Sequence, residues 1–570
     1  MATPFIRRFW WLLLIAALVG INFLAALGHA RIDLTEEKRY SLSRPTKDLL
    51  RGLDDVVYID VYLEGDDLPA VVRKFRNGLA DFLEEAREYG GTRLQYRFVN
   101  PYESGDTAQV QKLVDSLNSF GLSPVYLNAP DEVGDKLEVQ QLIHGALIRY
   151  GSETAGVDLL KGIRAYGTEP EQLAQLYNDV EATIEYKFGS AIQKLTAKER
   201  PVVAYATGHG ETWGPTVDDA VRTLFTEYRS DTFNLLQAPA IPQEINALVI
   251  LKPTRPFSDR DKLKIDQYLM HGGKVFWMVD NMFAEFDSLY QTGGFVAFDR
   301  ALNLEDLLFN FGVRLNQNLL QDMQCDKLPQ VSGEGTAQQR RLVDWPFFPI
   351  LNGTGHPISK NLDGVRALFP SSLDTVEAPG VKKTILLHSS NNARLLTAPA
   401  RVDFEFLQIA PEAAQFRQAH VPVAVLLEGG FRSLYTGRVP RTVADSLRAM
   451  NMPFRSESDG RGKMIVVADG DIAANQFSEL NGPLPMGQNL FTQYTFANKE
   501  FYSNALEYLV NPTDILQTRA KEYSLRLLDP RRTDAERGKW QAINIVLPVL
   551  LIILFGAGYQ QYRKRKYRGT

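Results

Sequence analysis

The sequence predicts an α/β protein whose large body lies between two membrane-spanning helices. Two observations support the membrane part: an apolar stretch near each end of the chain, and basic residues beside both stretches. A third supports the α/β class, because segments with helical periodicity alternate with short apolar runs typical of strands buried on both faces of a parallel sheet. At about 150 residues per domain, the 570 residues allow roughly three or four domains.

Composition excludes several protein classes. The chain is 45% hydrophobic and 23% charged, which is ordinary for a globular protein and argues against wholesale disorder. The single cysteine, Cys325, cannot form an intrachain disulfide or a paired-cysteine zinc or redox site. No interior basic cluster is interleaved with aromatic residues, so a nucleic-acid partner is not expected.

Charge is distributed unevenly along the chain. Residues 1–30 carry +2 and residues 541–570 carry +5, so residues 31–540 must carry −12 to give the net charge of −5. An acidic body therefore lies between two basic ends.

The first apolar stretch, FWWLLLIAALVGINFLAALGHA, covers residues 9–30 without a charged residue. At about 1.5 Å per residue it is long enough to cross a hydrocarbon core of about 30 Å, and Trp10 and Trp11 lie where aromatic rings favour the interface. A cleaved signal peptide is the alternative, but the apolar run is longer than the core of a usual signal peptide. We predict an uncleaved anchor.

The second apolar stretch, INIVLPVLLIILFGAGY, covers residues 543–559 and is followed by the basic segment RKRKYR. Trp540 precedes it, and Pro548 lies inside it, which a membrane helix tolerates when its neighbours satisfy the freed carbonyl. A buried helix of a soluble domain is the alternative, and the basic tail argues against it. Short tails obey the positive-inside rule better than long domains do, so both tails should be cytoplasmic and residues 31–540 periplasmic.

The body begins with a predicted β-α-β-α-β-β order. Strands are expected at 56–63, at LQYRFVNPY, at PVYLN and at ALIRYGS, with helices at 71–90 and 108–120. This order is that of a thioredoxin-type fold, without a cysteine where a redox pair would stand. A long helix over 169–196 is predicted to lead into a second domain.

The second domain is predicted to hold a parallel sheet. Its strands are expected after Val202, at 245–253, at 274–280 and at 464–471, with a helix at 258–273 that Ser258 caps. The stretch at about 300–460 is rich in Gly, Asn and Pro, and its pattern does not predict a topology.

Polar residues directly follow three of these strands. They are His209, Glu211, Asp280, Asp469 and Asp471. Because ligands of an open parallel sheet collect at the carboxyl ends of its strands, we expect these groups at one crevice. Carboxylates and an imidazole suit Mn²⁺ or Mg²⁺, and they could equally bind sugar hydroxyls. The simpler alternative is that the carboxylates cap helices and the glycines permit tight turns. We therefore regard the five as candidate ligand-binding residues and assign no metal and no cofactor.

Catalysis is not predicted. Cys325 lies in QDMQCDKLP, which is not the strand-to-helix elbow of a nucleophilic cysteine. The chain has no GxSxG serine elbow, no HExxH zinc motif and no Walker A loop. We expect a protein that is not an enzyme.

Several segments resemble the gliding-motility GldG family, described as auxiliary, substrate-binding-like subunits of ABC transporters in Bacteroidetes. They are RIDLTEEKRYSLS, the GHGE turn, YLMHGGKVFWMVD, ADGDIAANQF, NKEFYSNALEYL and the closing WQAINIVLPVLLIILFG with its RKRKY tail. The resemblance implies a separate permease and a separate ATPase, since no nucleotide motif is present. The region from GHGE to ADGD is similar to a domain shared with an intraflagellar-transport protein, which implies an amidotransferase- or flavodoxin-like sheet and possible carbohydrate binding.

The predicted organisation has eight consecutive parts. They are a cytoplasmic tail at 1–8, a transmembrane helix at 9–30, a periplasmic thioredoxin-like domain at 31–165, a linking helix at 166–200, an amidotransferase-like α/β domain at 201–510 with an insertion at about 300–460, a return segment at 511–540, a transmembrane helix at 541–560 and a basic cytoplasmic tail at 561–570.

The predicted function is that of a non-catalytic subunit of a gliding-associated ABC transporter. The subunit is expected to cross the inner membrane twice, and a homodimer within a larger complex is a further expectation. Asn22, Pro548, Gly556 and Gly558 are the residues expected to pack against the permease, because polar and small residues favour close helix contacts. Two alternatives stay open: a periplasmic carbohydrate-binding or glycan-processing protein, and a purely structural assembly factor.

Overall fold

The computed structural model describes residues 41–567, together with Ile15 and residues 18–20. Within 41–567 it leaves out residues 66–67, 105, 131–136, 162–169, 333–338, 405–411, 451, 479–481, 512–514, 517 and 519–529. The chain divides into two compact units, Met1–Lys521 and Glu522–Thr570.

The first part of the larger unit is a four-stranded sheet with helices. Its elements are α1 (Arg44–Arg51), β1 (Val57–Val61), α2 (Ala70–Gly90), β2 (Leu94–Phe98), α3 (Thr107–Ser119), β3 (Val125–Pro130), β4 (Leu137–Leu142), β5 (Gly145–Tyr150) and β6 (Glu153–Asp158). The strand order is β2–β1–β5–β6, in which β1 and β2 are parallel and the other pairs antiparallel, while β3 and β4 form a separate ribbon. Ser43 caps α1, because its side chain accepts from Thr46 N–H.

A long helix, α4 (Pro170–Thr196), joins this sheet to the next one. One face packs on α2, where Leu173, Val180 and Phe188 join the core of the first sheet. The other face meets the last helix of the main sheet, where buried Glu507 accepts hydrogen bonds from Tyr186 Oη at 2.8 Å and Ser190 Oγ at 3.1 Å. Helix α4 therefore packs against the elements of both sheets.

The main sheet contains ten strands. In chain order the helices and strands that build it are β7 (Val202–Thr207), α5 (Asp218–Glu227), β8 (Arg229–Asn234), β9 (Ala247–Leu251), α6 (Asp259–Met270), β10 (Lys274–Met278), β15 (Cys325–Ser332), β16 (Gln339–Gly353), β17 (Val365–Arg366), β19 (Val381–His388), β22 (Pro422–Gly429), β23 (Lys463–Val467) and α10 (Asn498–Val510).

Five of these strands, in the order β8–β7–β9–β10–β23, are parallel. All five residues of β9 are buried and four of five in β10, which confirms the expectation from their continuously apolar sequence. Beyond β23 the sheet continues as β22, β19, β16 and β15, all paired antiparallel. The expected parallel sheet is thus only half of a mixed sheet, because residues of the unassigned 300–460 stretch pair with its edge.

The larger unit contains further helices and strands outside the main sheet. They are β11 (Met282–Phe283), α7 (Phe286–Thr292), β12 (Gly294–Asp299), α8 (Glu305–Phe311), β13 (Val313–Leu315), β14 (Asn318–Asp322), β18 (Leu373–Thr375), β20 (Ala393–Thr397), β21 (Ala400–Asp403), α9 (Arg441–Ala449), β24 (Phe477–Ser478) and β25 (Gly482–Pro483). Three aromatic residues of β16, Trp345, Phe347 and Phe348, are fully buried. Their rings are therefore part of a hydrophobic core and are not exposed to a ligand.

The smaller unit contains one long helix, α11 (Pro530–Tyr567), with Pro548 inside it. Its segment Glu536–Lys566 contains an 18-residue stretch with a mean hydropathy of 2.3 and is long and apolar enough to cross a membrane. The other predicted span, 9–30, lies outside the described residues apart from Ile15 and residues 18–20. Of the two predicted spans, the structure therefore supports the second.

Candidate functional site

Three of the predicted site residues meet at the carboxyl edge of the parallel strands. Asp280 follows β10, whereas Asp469 and Asp471 follow β23, and these two strands are neighbours. Each aspartate offers an oxygen, and the three oxygens lie within 4.8 Å of one another. Asp280 and Asp469 are buried and Asp471 is half-buried. The convergence expected from the strand ends is therefore real for this trio.

Lys252, which directly follows β9, lies among these carboxylates. Its Nζ is 2.5 Å from Asp471 Oδ1, 3.1 Å from Glu285 Oε2 and 3.3 Å from Asp280 Oδ2. The side chain is buried, and its backbone has a φ of 51°, which is uncommon for a residue other than glycine. The lysine ammonium therefore occupies the position that a cation bound by these aspartates would take.

Backbone groups satisfy most of the remaining oxygens. Asp280 Oδ1 accepts from Gly470 N–H at 2.5 Å, and the oxygens of Asp469 accept from Leu368 N–H and Asp471 N–H, both at 2.7 Å. Asp280 Oδ2 is the exception: it is buried and close to Lys252, but it lacks hydrogen-bond geometry. Most of the carboxylate oxygens in the cluster therefore accept hydrogen bonds from donors of the protein itself.

Two more charged residues complete this network. Arg300 Nη2 donates to Glu285 Oε1, and its guanidinium lies 5.2 Å from the ring centroid of Phe283. Arg366 is also buried, with Nε 2.5 Å from Asp326 Oδ2, and the nearby charges of Asp469 and Asp471 act to raise its pKa against the lowering effect of burial. Cations thus approach the aspartates from more than one side.

The protonation of the cluster is strongly perturbed. Burial, and then the charges of the other aspartates, raise the pKa of Asp469 well above its usual range. Burial raises the pKa of Asp471 to about 7, even though the charge of Lys252 acts to lower it. Burial alone would lower the pKa of Lys252, but the three neighbouring carboxylates outweigh burial and raise it well above its usual value. The lysine is therefore charged, while Asp469 and Asp471 bind their protons more tightly than exposed carboxyl groups do.

His209 and Glu211 form a different group of contacts. The His209 ring is 1% exposed and stacks on Phe257 with centroids 3.8 Å apart, and its Nε2 lies 3.3 Å from Asp261 Oδ2. Glu211 Oε2 accepts from the backbone N–H of His209 at 2.7 Å. Among the described residues, no hydrogen bond or ion pair links either side chain to the three aspartates, so the five predicted residues form two groups.

Backbone bonds explain the shape of the His209 turn. The carbonyl oxygen of His209 accepts from Thr254 N–H at 2.9 Å and Arg255 N–H at 2.8 Å, which ties the end of β7 to the loop after β9. Gly210 has a φ of 74°, and a Cβ there would lie 2.2 Å from Thr254 Oγ1, so the turn requires glycine.

Sequence reasoning missed Lys252, Glu285, Arg300 and Asp261. A signal existed for the first, since INALVILKP ends an otherwise apolar strand in a lysine at the edge where acidic residues were expected. Nothing local marks Glu285 or Arg300, which reach the cluster from the segments around β11 and β12.

Two families of known proteins match two separate parts of the chain. Residues 200–505 match a family described as an ABC-type uncharacterized transport system, and residues 36–149 match a domain of unknown function, DUF7088. No curated protein matches the chain.

Two solved structures show weak likeness to the chain. The mmIFT52 N-terminal domain is 11% identical with a TM-score of 0.30, covering 54% of this chain and 97% of that one. An exo-beta-1,4-mannosidase, Op5Man5 from Opitutaceae bacterium strain TAV5, is 10% identical with a TM-score of 0.19, covering 80% of this chain and 51% of that one. At these TM-scores neither likeness bears on the fold or the function.

The family match covers more than half of the 570 residues and includes the whole of the Lys252 cluster, the His209 turn and the parallel strands that carry them. The chain belongs to the auxiliary family of ABC-type transport systems.

Proposed function

We propose that the protein is a membrane-anchored accessory subunit that works with a separate ABC permease and a separate ATPase. The observation that carries the proposal is the family match over residues 200–505. An accessory role for a folded body fits the main sheet, because the aspartates at its carboxyl edge are held by Lys252 and by backbone donors and present no free nucleophile.

The proposed arrangement puts both tails in the cytoplasm and residues 31–540 in the periplasm. The support is the charge pattern: α11 ends in the basic run Arg563–Lys566, while the long acidic body is of a size that escapes the charge rule. Protease added to spheroplasts should then digest the body and spare the C-terminal tail. Protection of the body would contradict this topology.

We further propose that the membrane helices contact the permease and that the ATPase binds near the basic tail. A Cβ added at Gly556 or Gly558 would meet no atom within 4 Å, so each of these positions, which lie on opposite faces of α11, leaves room for close approach by another helix. Pro548 interrupts the same helix, and Asn22, in the first predicted span, lies outside the described residues.

Affinity purification of the full chain from native membranes tests the partner proposal. A permease and an ATPase should copurify in constant ratio. In a matched variant, residues 543–559 are replaced by leucine at equal length, which keeps an anchor but removes Pro548, Gly556 and Gly558. Weaker recovery of the permease supports helix contact, whereas unchanged recovery assigns the contact to the body. Absence of both partners from the native sample contradicts the proposal itself.

Three finer assignments stay predictions. Participation in gliding motility in a Bacteroidetes organism, and a homodimer within the complex, rest on the sequence resemblance. Carbohydrate binding by His209, Glu211 and the three aspartates is also untested, and the placement of Lys252 weighs against it because the lysine already lies against carboxylate oxygens of Asp280 and Asp471. Saturable sugar binding that disappears in His209→Ala would revive that alternative.

A further inference from the structure

A cavity lies at the opposite, amino edge of the parallel strands. Its volume is about 230 Å³, and its lining includes Gln243, Asn246, His271, Gly272, Lys274 and Arg461. Because a single water needs only about 10–15 Å³ of such volume, the cavity is large enough for a ligand of several atoms. Neighbouring strands contribute to it, since Asn246 precedes β9, Lys274 begins β10 and Arg461 precedes β23.

Lys274 is the residue that distinguishes this cavity. Its side chain is half-buried, and its Nζ makes no hydrogen bond or ion pair with any described residue. Burial, followed by the positive charges of Lys463 and Arg461, lowers the pKa of Lys274. A cation among other cations is electrostatically unfavourable, and an anion in the cavity would relieve that repulsion.

Acidic residues around the cavity do not neutralise it. Asp459 pairs with Arg461 at 2.5 Å and lies 3.6 Å from Arg455 Nη1, so one carboxylate serves two arginines. Lys463, which pairs with Lys274 across the adjacent strands β10 and β23, lies 3.7 Å from Glu428 and 4.1 Å from the Tyr508 ring. The four cations Lys274, Lys463, Arg455 and Arg461 face only two of these carboxylates, Asp459 and Glu428, so this set of side chains carries an excess of positive charge.

Neutral donors and an open backbone complete the cavity. Asn246 Oδ1 accepts from Val202 N–H at 2.7 Å, which leaves its amide N–H₂ without a partner among the described residues. Gly272 has a φ of 88°, and a Cβ there would lie 3.4 Å from both Arg461 Cβ and Asp459 Oδ1. Glycine therefore lets the arginine stem lie across the end of α6 beside the cavity.

We propose that this cavity binds an oxyanion of the phosphate class, held by Lys274 and Arg461 with Asn246 as a neutral donor. An ammonium, a guanidinium and an amide are the donor types that bind phosphate oxygens. The ligand is inorganic phosphate or the phosphate group of a small molecule or lipid headgroup. This site lies away from the aspartate cluster and does not depend on the partner proposal.

An alternative explanation is that these cations only stabilise the carboxyl end of α6, where positive charge is favourable. His271, the residue that ends the helix, already binds there, with Nε2 2.9 Å from Pro453 O and Nδ1 3.3 Å from Gln243. A purely helix-stabilising role predicts no saturable anion binding, which separates the two explanations.

The test measures binding of inorganic phosphate to the full chain in detergent by calorimetry, with chloride at equal ionic strength as the blank. We expect saturable binding that weakens about tenfold in Lys274→Met, since a charge-assisted hydrogen bond contributes roughly that factor. Arg461→Gln should weaken binding several-fold, and Lys274→Arg should retain most of it. Arg461 is highly exposed, so its variant tests the proposal even if Lys274→Met folds poorly.

Lys383→Met is the matched control, because Lys383 is also half-buried, lies in the same sheet and makes no ion pair among the described residues. Glycerol 3-phosphate, and vesicles of phosphatidylcholine with and without phosphatidate, distinguish a soluble ligand from a headgroup. Absence of saturable phosphate binding in the unmodified chain would overturn the proposal. The proposal would also be overturned if the unmodified chain, Lys274→Met and Arg461→Gln all bound phosphate with equal affinity.

Discussion

The two edges of the main sheet handle buried charge in opposite ways. At the carboxyl edge, Lys252 is buried and lies within 3.3 Å of three carboxylates. At the amino edge, Lys274 is half-buried and forms no ion pair with any described residue, and the neighbouring charges of Lys463 and Arg461 are positive like its own. The strands that carry these lysines, β9 and β10, are adjacent in the sheet.

The difference shows that the carboxyl edge of a parallel sheet, where ligands usually bind, need not be the edge with an unpaired charge. Ligands of open parallel sheets usually bind at the carboxyl ends of strands, but here a lysine of the chain supplies the complementary charge. Where the partners of a buried charge are built into the fold, removing that charge destabilises the protein, whereas an unpaired charge beside a cavity is available to a ligand. Four substitutions test this contrast.

The largest effect is expected for Lys252→Met. Removal of the ammonium leaves buried carboxylates without their cation, so the free energy of unfolding should fall by about 3–5 kcal/mol. Denaturant titration of the full chain in detergent, followed by the fluorescence of buried Trp277 and Trp345, measures it. Lys383→Met is the control for loss of a half-buried lysine. A loss below about 1 kcal/mol would show that the cluster does not depend on its lysine.

His209→Ala should cost about 2 kcal/mol, because the variant loses a buried ring stacked on Phe257 and the contact with Asp261. The ATPase activity of any copurified complex should stay within about threefold, which corresponds to roughly 0.6 kcal/mol. Exposed His420→Ala is the matched control for both measurements. A hundredfold loss of ATPase activity in a folded protein would give His209 a functional role instead.

Asp471→Asn should change how stability depends on pH. The pKa of Asp471 is about 7 in the folded protein, against about 4 in an unfolded chain, so the folded state binds the extra proton between these values. Stability therefore declines as pH rises from about 4 to about 7, and the asparagine variant should show a shallower decline, by at most about 1.4 kcal/mol per pH unit.

Thermal unfolding between about pH 5 and pH 8 measures this slope. Some decline should persist, because burial also raises the pKa of Asp266 to about 6. Exposed Asp115→Asn is the control and should leave the slope unchanged. Identical slopes for Asp471→Asn and the unmodified chain would mean that another group carries the titration.

The smallest effect is expected for Lys274→Met in the absence of phosphate. The residue makes no ion pair with any residue that the structure describes, so the free energy of unfolding should change by less than about 0.5 kcal/mol, or rise slightly as repulsion from Lys463 and Arg461 disappears. The same denaturant titration measures it beside Lys252→Met. A loss comparable with that of Lys252→Met would contradict the distinction between the two edges.

Local patterns in the sequence predicted the individual elements of the larger unit well. The helix expected at 258–273 is observed at Asp259–Met270, with Ser258 accepting from Asp261 N–H as its cap. The strand expected at 245–253 is observed at Ala247–Leu251 and is entirely buried. Periodicity, caps and continuous apolar runs depend on neighbours within a few residues, so the sequence carries that information directly.

Pairing across long separations was not predictable in the same way. Strands β16, β19 and β22 join the main sheet from a stretch whose composition predicted no topology, and they do so antiparallel. Antiparallel partners here are separated by tens of residues, and their register depends on which apolar faces meet in the core. The second apolar span, in contrast, could be predicted from hydropathy alone, because the length and composition of a segment are local properties.

The sequence by itself determined that acidic residues follow β10 and β23, that a glycine-flanked histidine follows β7, and that the chain ends in an apolar helix with a basic tail. Only the tertiary structure decided that Lys252 lies among the aspartates, that His209 stacks on Phe257 away from them, and that Lys274 forms no ion pair within the part of the chain that the structure describes. Charge balance depends on distances in space, and residues such as Lys252 and Asp471, which are far apart in the chain, come within 2.5 Å only after the sheet has formed.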